Sequence, residues 1–136
     1  MRKSDRQQNL GKVIIPIGLN SPPEPHEIDA AQILAQYFRC DVEFLVPVDD
    51  YLRKSADILI QGVAWEIKSP TGGSKATIQN QFRRASKQAK NIILDTRRSK
   101  LDYETIEKRV MLEVKRSSFK KVLLINKFEK VIVIRK

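Results

Sequence analysis

The sequence predicts a single α/β domain, a mixed central sheet flanked by helices, and three observations carry that expectation. Short β-branched runs such as "VIVI" and "VLLI" alternate along the chain with longer stretches of helical spacing. The breaks between them are compact Pro, Gly and Ser clusters, with no linker long enough to divide 136 residues into two domains. Hydrophobic residues make up 41% and charged residues 31%, a globular balance that excludes a disordered chain.

Residues 1–24 are expected as an N-terminal extension and residues 25–136 as one domain. The polar start "MRKSDRQQNLGK" leads into "KVIIPIG", a candidate short edge strand because Pro16 offers no N–H to a ladder, and then into the loop "LNSPPEP". "HEIDAAQILAQYF" at 26–38 has helical spacing, with Glu27, Ala31, Leu34 and Phe38 on one stripe. "DVEFLV" at 41–46 reads as a strand and "PVDDYLRKS" as a loop. "ADILI" and "VAWEIK" are strands joined by Gln61-Gly62, a pair suited to a two-residue hairpin turn. "SPTGGS" breaks the chain before a helix over 75–89, whose Ile78, Phe82, Ala85 and Ala89 share a face. "NIILD" is a short buried strand, and a helix over 102–116 turns Ile106, Val110 and Val114 inward. "KKVLLINKF" and "KVIVIRK" close the chain as a hairpin around Glu129-Lys130. The expected order is α-β-β-β-α-β, then α-β-β.

Charge narrows the partners. Lys and Arg total 26 against 16 acids, a formal net charge of +10. A polyanion is the expected partner, nucleic acid ahead of a membrane surface, because no strongly amphipathic lysine-rich helix stands out. The apolar runs are too short to span a bilayer, and the start lacks the apolar stretch of a signal peptide. Cys40 is the only cysteine, which excludes an internal disulfide and disfavours a cysteine-rich metal site. His26, the only histidine, sits at a helix start, where it reads as part of the cap rather than as a catalytic base. "SPTGGSK" lacks the spacing of a P-loop.

The hairpin gathers charge. With Gln61 and Gly62 as its loop, Ile58 opposes Trp65 and Asp57 opposes Glu66. Directly opposed residues share a face, with Cβ atoms about 5 Å apart. The two-residue period adds Lys68 to that face and sends Trp65 and Ile67 to the other. Two like charges so placed repel unless a cation lies between them. Two carboxylates, completed by phosphate oxygens and water, describe a Mg²⁺ site, or one for Mn²⁺. The plainer reading makes Asp57 a strand-entry residue and leaves Glu66 and Lys68 as a surface pair. The exposed "SPTGG" turn directly after Lys68, with a helix before and a helix after, favours a site open to a large substrate.

Asp57, eight intervening residues and "EIK" (Glu66-Ile67-Lys68) resemble the motif of the PD-(D/E)xK nuclease superfamily, with Ala56 where its leading proline would stand. A longer stretch, "ADILIQGVAWEIKSPTGGSKATIQNQFRRASKQAKNIILD", is similar to the C-terminal toxin domain of contact-dependent inhibition proteins, the CdiA C-terminal tRNA nuclease domain. In that family a strand acid, a "wEiKsp" segment and a helix ending in "Qa.nIild" recur in this order. The resemblance implies a PD-(D/E)xK nuclease-like αβββαβ core with an added helix and a C-terminal β-hairpin. It further implies a metal-dependent endoribonuclease toxin that cuts tRNA at a cytoplasmic site of action, with delivery into a target cell as one route. A neutralising immunity protein or antitoxin is expected with it, acidic to suit this surface. The chain starts at its own Met1 with no delivery region, so either an excised domain or a freestanding member is expected.

Roles follow from that chemistry. Asp57 and Glu66 are the expected metal ligands, joined by the main-chain carbonyl of Ile67, and Lys68 holds or helps deprotonate the attacking water. Glu27 is a candidate fourth member, or simply complements its helix dipole. Thr77, Gln81, Arg84 and Gln88 make a polar stripe of the kind that is usually only solvated. The resemblance raises Gln88, to position water, and then Arg84, to neutralise a phosphate. Ser69 and Thr71 donate to phosphate or shape the turn. Arg83, Lys87, Lys90, Arg97, Arg98 and Lys100 are expected to supply attraction to a phosphate backbone. Two alternatives stand beside the tRNA nuclease: a DNA endonuclease of the same superfamily, and a non-catalytic nucleic-acid-binding module.

Overall fold

A computed structural model describes residues 11–19, 21–46, 56–86 and 89–136. The polar start over 1–10 and the expected loop over 47–55 lie outside the described residues. The elements in chain order are β1 (Val13–Ile14), α1 (Pro25–Phe38), β2 (Val42–Phe44), β3 (Ile58–Ile60), β4 (Val63–Lys68), α2 (Lys75–Ala85), β5 (Asn91–Asp95), α3 (Tyr103–Arg116), β6 (Lys121–Ile125) and β7 (Val131–Arg135). All seven strands join one sheet in sequence order. β1–β2, β4–β5 and β5–β6 pair in parallel, and the other neighbours are antiparallel. Each parallel pair is joined through a helix, as parallel neighbours require.

The helices divide the core between the two faces of the sheet. α1 buries Ala30, Ala31, Leu34 and Ala35 against Phe44, Ile58 and Trp65. Small alanines let this helix sit close to the strands, and Phe38, expected on the inward stripe, packs at the rim with its ring 6.4 Å from that of Trp65. α2 and α3 cover the opposite face through Ile78, Phe82, Ile106 and Val110, which meet Ile92, Leu94, Val122 and Leu124. β5 shows the alternation directly, with Ile93 in one layer and Ile92 and Leu94 in the other. Among the described residues no helix is long and apolar enough to cross a membrane.

Turn chemistry fixes the first hairpin as the sequence predicts. Gln61 and Gly62 take φ of 50° and 77°, the left-handed pair whose twist matches the flanking strands. Ile60, Leu59 and Ile58 accordingly face Val63, Ala64 and Trp65. The second hairpin differs from expectation. Asn126 Oδ1 accepts from the Phe128 and Lys130 N–H groups at 2.9 and 3.0 Å, and Glu129 takes φ of 64°. An asparagine side chain bonding its own downstream backbone builds the turn, so β6 stops at Ile125. α2 likewise ends at Ala85, before the expected Ala89, where the Ser86 hydroxyl donates to the Arg83 carbonyl at 2.8 Å. Gly11 has its own requirement: a Cβ there would collide with the Cys40 carbonyl, so only glycine lets the chain before β1 lie against the end of α1.

Candidate active site

β3 and β4 converge on one acidic end. Asp57 precedes β3 yet stays within the ladder, its N–H donating to the Trp65 carbonyl at 3.0 Å and its carbonyl accepting from Leu45 N–H at 2.9 Å. Its side chain then turns toward β4, where Oδ2 accepts from the Ile67 N–H at 2.9 Å. Glu66 is next along that strand and only 2% exposed. Lys68 Nζ lies 3.2 Å from Glu66 Oε1, while Glu66 Oε2 is buried and no donor reaches it. The hairpin therefore assembles the two acids and the ammonium group that its register predicts.

The electrostatics are those of a crowded, half-dry site. Burial raises the Asp57 carboxyl above the usual range, against the pull of the Ile67 N–H and the Lys68 charge. Glu66 is pushed up to about 7, by burial first and then by the Asp57 charge, with Lys68 opposing. The two carboxyls lie within hydrogen-bonding reach of each other. Near neutral pH such a pair holds a shared proton or a cation. Either answers the orphaned Oε2.

The donor set fits a hard divalent cation. Among the described residues no group of three or more His, Cys, Asp or Glu side chains forms a closed metal cage. Mg²⁺ does not need one, since it is commonly held by one or two carboxylates and completes its shell with water and substrate phosphate. Asp57 and Glu66 supply the carboxylates. The Ile67 N–H faces the Asp57 edge, and in an extended strand a residue's carbonyl faces the same edge, which puts that oxygen beside the acids.

Glu27 meets both of its readings. Its Oε1 accepts the Glu24 N–H at 2.9 Å in a capping box at the start of α1. It also lines a cleft of about 270 Å³ with Asp57, Phe44 and Leu45, and its charge adds to the rise at Asp57. Ser69 follows Lys68 with its hydroxyl buried and unbonded, and Thr71 is exposed on the turn. Ser74 caps α2 by accepting the Ala76 N–H at 3.2 Å, and a side chain on Gly72 would strike Thr77. Arg83 and Arg84 occupy the last turn of α2, roughly 14 Å along the helix axis from its start near Lys68. Arg83 lines a separate cleft against α3. Lys87 and Gln88 lie outside the described residues.

One expectation is corrected. Arg97 is not a free surface charge: its Nε and Nη2 grip Asp95 at 2.9 and 2.7 Å, and Nη2 also donates to the His26 carbonyl at 2.8 Å. It ties the end of β5 to the first turn of α1, beside Glu27. The local signal was an acid and an arginine two residues apart at a strand end, but the His26 contact spans 71 positions and leaves no local trace. Glu113, 7% exposed in α3, gives no sequence signal of its burial, because it sits between apolar residues in the helical pattern.

Comparison with known proteins bears on the family and the fold. No curated protein sequence matches the chain. A solved structure described as "CdiA-CT/CdiI toxin and immunity complex from Burkholderia pseudomallei" contains a chain similar in fold, with a TM-score of 0.63 at 20% sequence identity. The match covers 90% of this chain and 98% of that one. Residues 54–131, more than half of the sequence, match the family described as "Contact-dependent growth inhibition CdiA C-terminal domain". The chain belongs to that family.

Proposed function

We propose that this domain is a toxin of contact-dependent growth inhibition that cleaves tRNA as a Mg²⁺-dependent endoribonuclease with a PD-(D/E)xK-type site. The observation that carries the reading is Glu66: a carboxylate 2% exposed, with one oxygen on Lys68 and the other lacking any donor, set directly beside Asp57. The tRNA substrate is what the sequence resemblance implies, and the net charge of +10 suits any polyanion.

Asp57, Glu66 and the Ile67 carbonyl would hold the cation. When bound, Mg²⁺ acidifies water and offsets charge building on the scissile phosphate. Lys68 orients the attacking water and donates to the phosphate, its ammonium kept in place by Glu66 Oε1. Ser69 and Thr71 bind phosphate next to the reacting bond, and Arg83, Arg84, Lys87 and Gln88 engage more distant phosphates. Glu27, its first oxygen engaged in the cap, biases the Asp57 side of the cleft. The solved complex pairs its toxin with an immunity protein. By extension this chain has a neutralising partner, acidic to match its charge.

The test is incubation of the purified domain with total tRNA, and separately with DNA, in Mg²⁺ or EDTA. Discrete tRNA fragments in Mg²⁺ alone, absent with Lys68→Ala, are the expected result. Cleavage of DNA instead would reassign the substrate, and binding without cleavage of either would leave only a nucleic-acid-binding module.

A further inference from the structure

A second polar cleft, of about 260 Å³, opens at the far end of the molecule, where α2 and α3 both finish. Its walls include Phe82, Arg83, Ser86, Glu113, Arg116 and Ser118. It stands roughly 16 Å from the catalytic end, the length of the 11-residue α2. Glu113 is the unusual member. It is 7% exposed, and its buried Oε1 accepts no hydrogen bond, held only by a long ion pair with Arg109 Nη1 at 3.6 Å. A buried carboxylate oxygen without a hydrogen bond is costly, and a ligand bringing N–H groups to this carboxylate would relieve that cost.

The surroundings narrow the ligand. The Ser86 and Ser117 hydroxyls donate to the carbonyls of Arg83 and Val114 at 2.8 and 2.9 Å, so they turn acceptors, not protons, outward. Two exposed guanidinium groups, Arg83 and Arg116, stand at the same cleft. A bare phosphate would satisfy the arginines and be repelled by Glu113. A simple amine would do the reverse. A nucleotide meets both demands, with an anionic phosphate joined to a base edge that donates N–H. Guanine suits a carboxylate best, because its ring N–H and its amino group lie side by side.

We propose that this cleft is a nucleotide-binding exosite: Arg83 and Arg116 hold a backbone phosphate, and Glu113 accepts from an unpaired guanine of the same strand. It rests on the nucleic-acid reading above and adds a base preference remote from the cleaved bond. A cleft this size has room for one base.

The test uses the ¹⁵N-labelled full chain in EDTA, titrated with the trinucleotides UGU, UIU and UUU and followed by amide shifts. UGU is expected to move the amides of Arg83, Glu113 and Arg116. Inosine lacks the 2-amino group, so UIU binds about tenfold more weakly, and UUU more weakly still. Glu113→Gln, close to isosteric, removes the preference for UGU; Arg83→Ala, at an exposed position, weakens all three ligands alike. Equal shifts from UGU and UUU, shifts confined to the Asp57–Lys68 end, or a response to an acidic glutamate peptide instead of UGU would each overturn the proposal. The two readings fail separately. Loss of tRNA cleavage with cleft binding intact removes catalysis, whereas cleavage with a silent cleft removes the exosite alone.

Discussion

Two buried acids on adjacent strands of this sheet are handled in opposite ways. Asp95, fully buried at the end of β5, has both oxygens gripped by the Arg97 guanidinium at 2.9 and 2.7 Å and receives the Arg97 N–H at 3.1 Å as well. Glu66, nearly as buried on β4, has one lysine at 3.2 Å, an oxygen with no donor and a second carboxylate beside it. The first arrangement is complete and holds the fold together. The second is incomplete, and a shared proton or a cation would complete it. Burial of an acid alone does not mark a site; burial without satisfaction does.

That contrast can be broken from either side. The largest effect is expected at the incomplete site: Lys68→Ala should lower tRNA cleavage by about a thousandfold, with the circular dichroism spectrum still that of the folded domain. Undiminished cleavage would remove Lys68 from the mechanism. At the complete pair the losses should exchange. Arg97→Ala leaves Asp95 buried and unpaired, which should destabilise the domain by about 3 kcal/mol in urea unfolding. Any loss of activity should then follow the folded fraction. A variant of normal stability and no activity would mean that Arg97 acts in the site.

Proton linkage sharpens the difference further. Glu66 titrates near 7, so protons compete with the cation there. At limiting Mg²⁺, cleavage should rise with pH through about 7, falling about tenfold per unit below it, and excess Mg²⁺ should move the midpoint downward. A flat profile between about pH 6 and 8 would contradict the raised carboxyl. The smallest effect is on stability. The Glu66 pKa is raised in the folded state, so its ionisation opposes folding above the unfolded value of 4.5, fully so beyond about 7. Glu66→Gln should therefore stabilise the domain by about 1–3 kcal/mol at pH 8, and by almost nothing near pH 4, while abolishing cleavage.

The incomplete site was legible in the sequence because its geometry is local. Gln61-Gly62 dictates a two-residue turn, the turn dictates the register, and the register brings Asp57 beside Glu66 with Lys68 on the same face. The apolar stripe of α3 was equally plain, since Ile106, Val110 and Val114 follow helical spacing and are all buried. The rest depended on contacts that sequence spacing does not encode. Arg97 looked like one more surface charge until the fold brought His26 to it. The Asn126 turn resembled strand because its strength lies in a side-chain oxygen, not in an apolar pattern. Glu113 stands between Leu112 and Val114 in the helical pattern, and only the fold brings it to 7% exposure.

Direct cation binding probes the central claim without relying on any substrate. Titrating the domain with Mn²⁺ by electron paramagnetic resonance, at about pH 8, should show one site in the wild type and none in Asp57→Asn or Glu66→Gln, although the latter folds more stably. Mn²⁺ bound equally by all three proteins would contradict the assignment of these carboxylates as the metal's ligands.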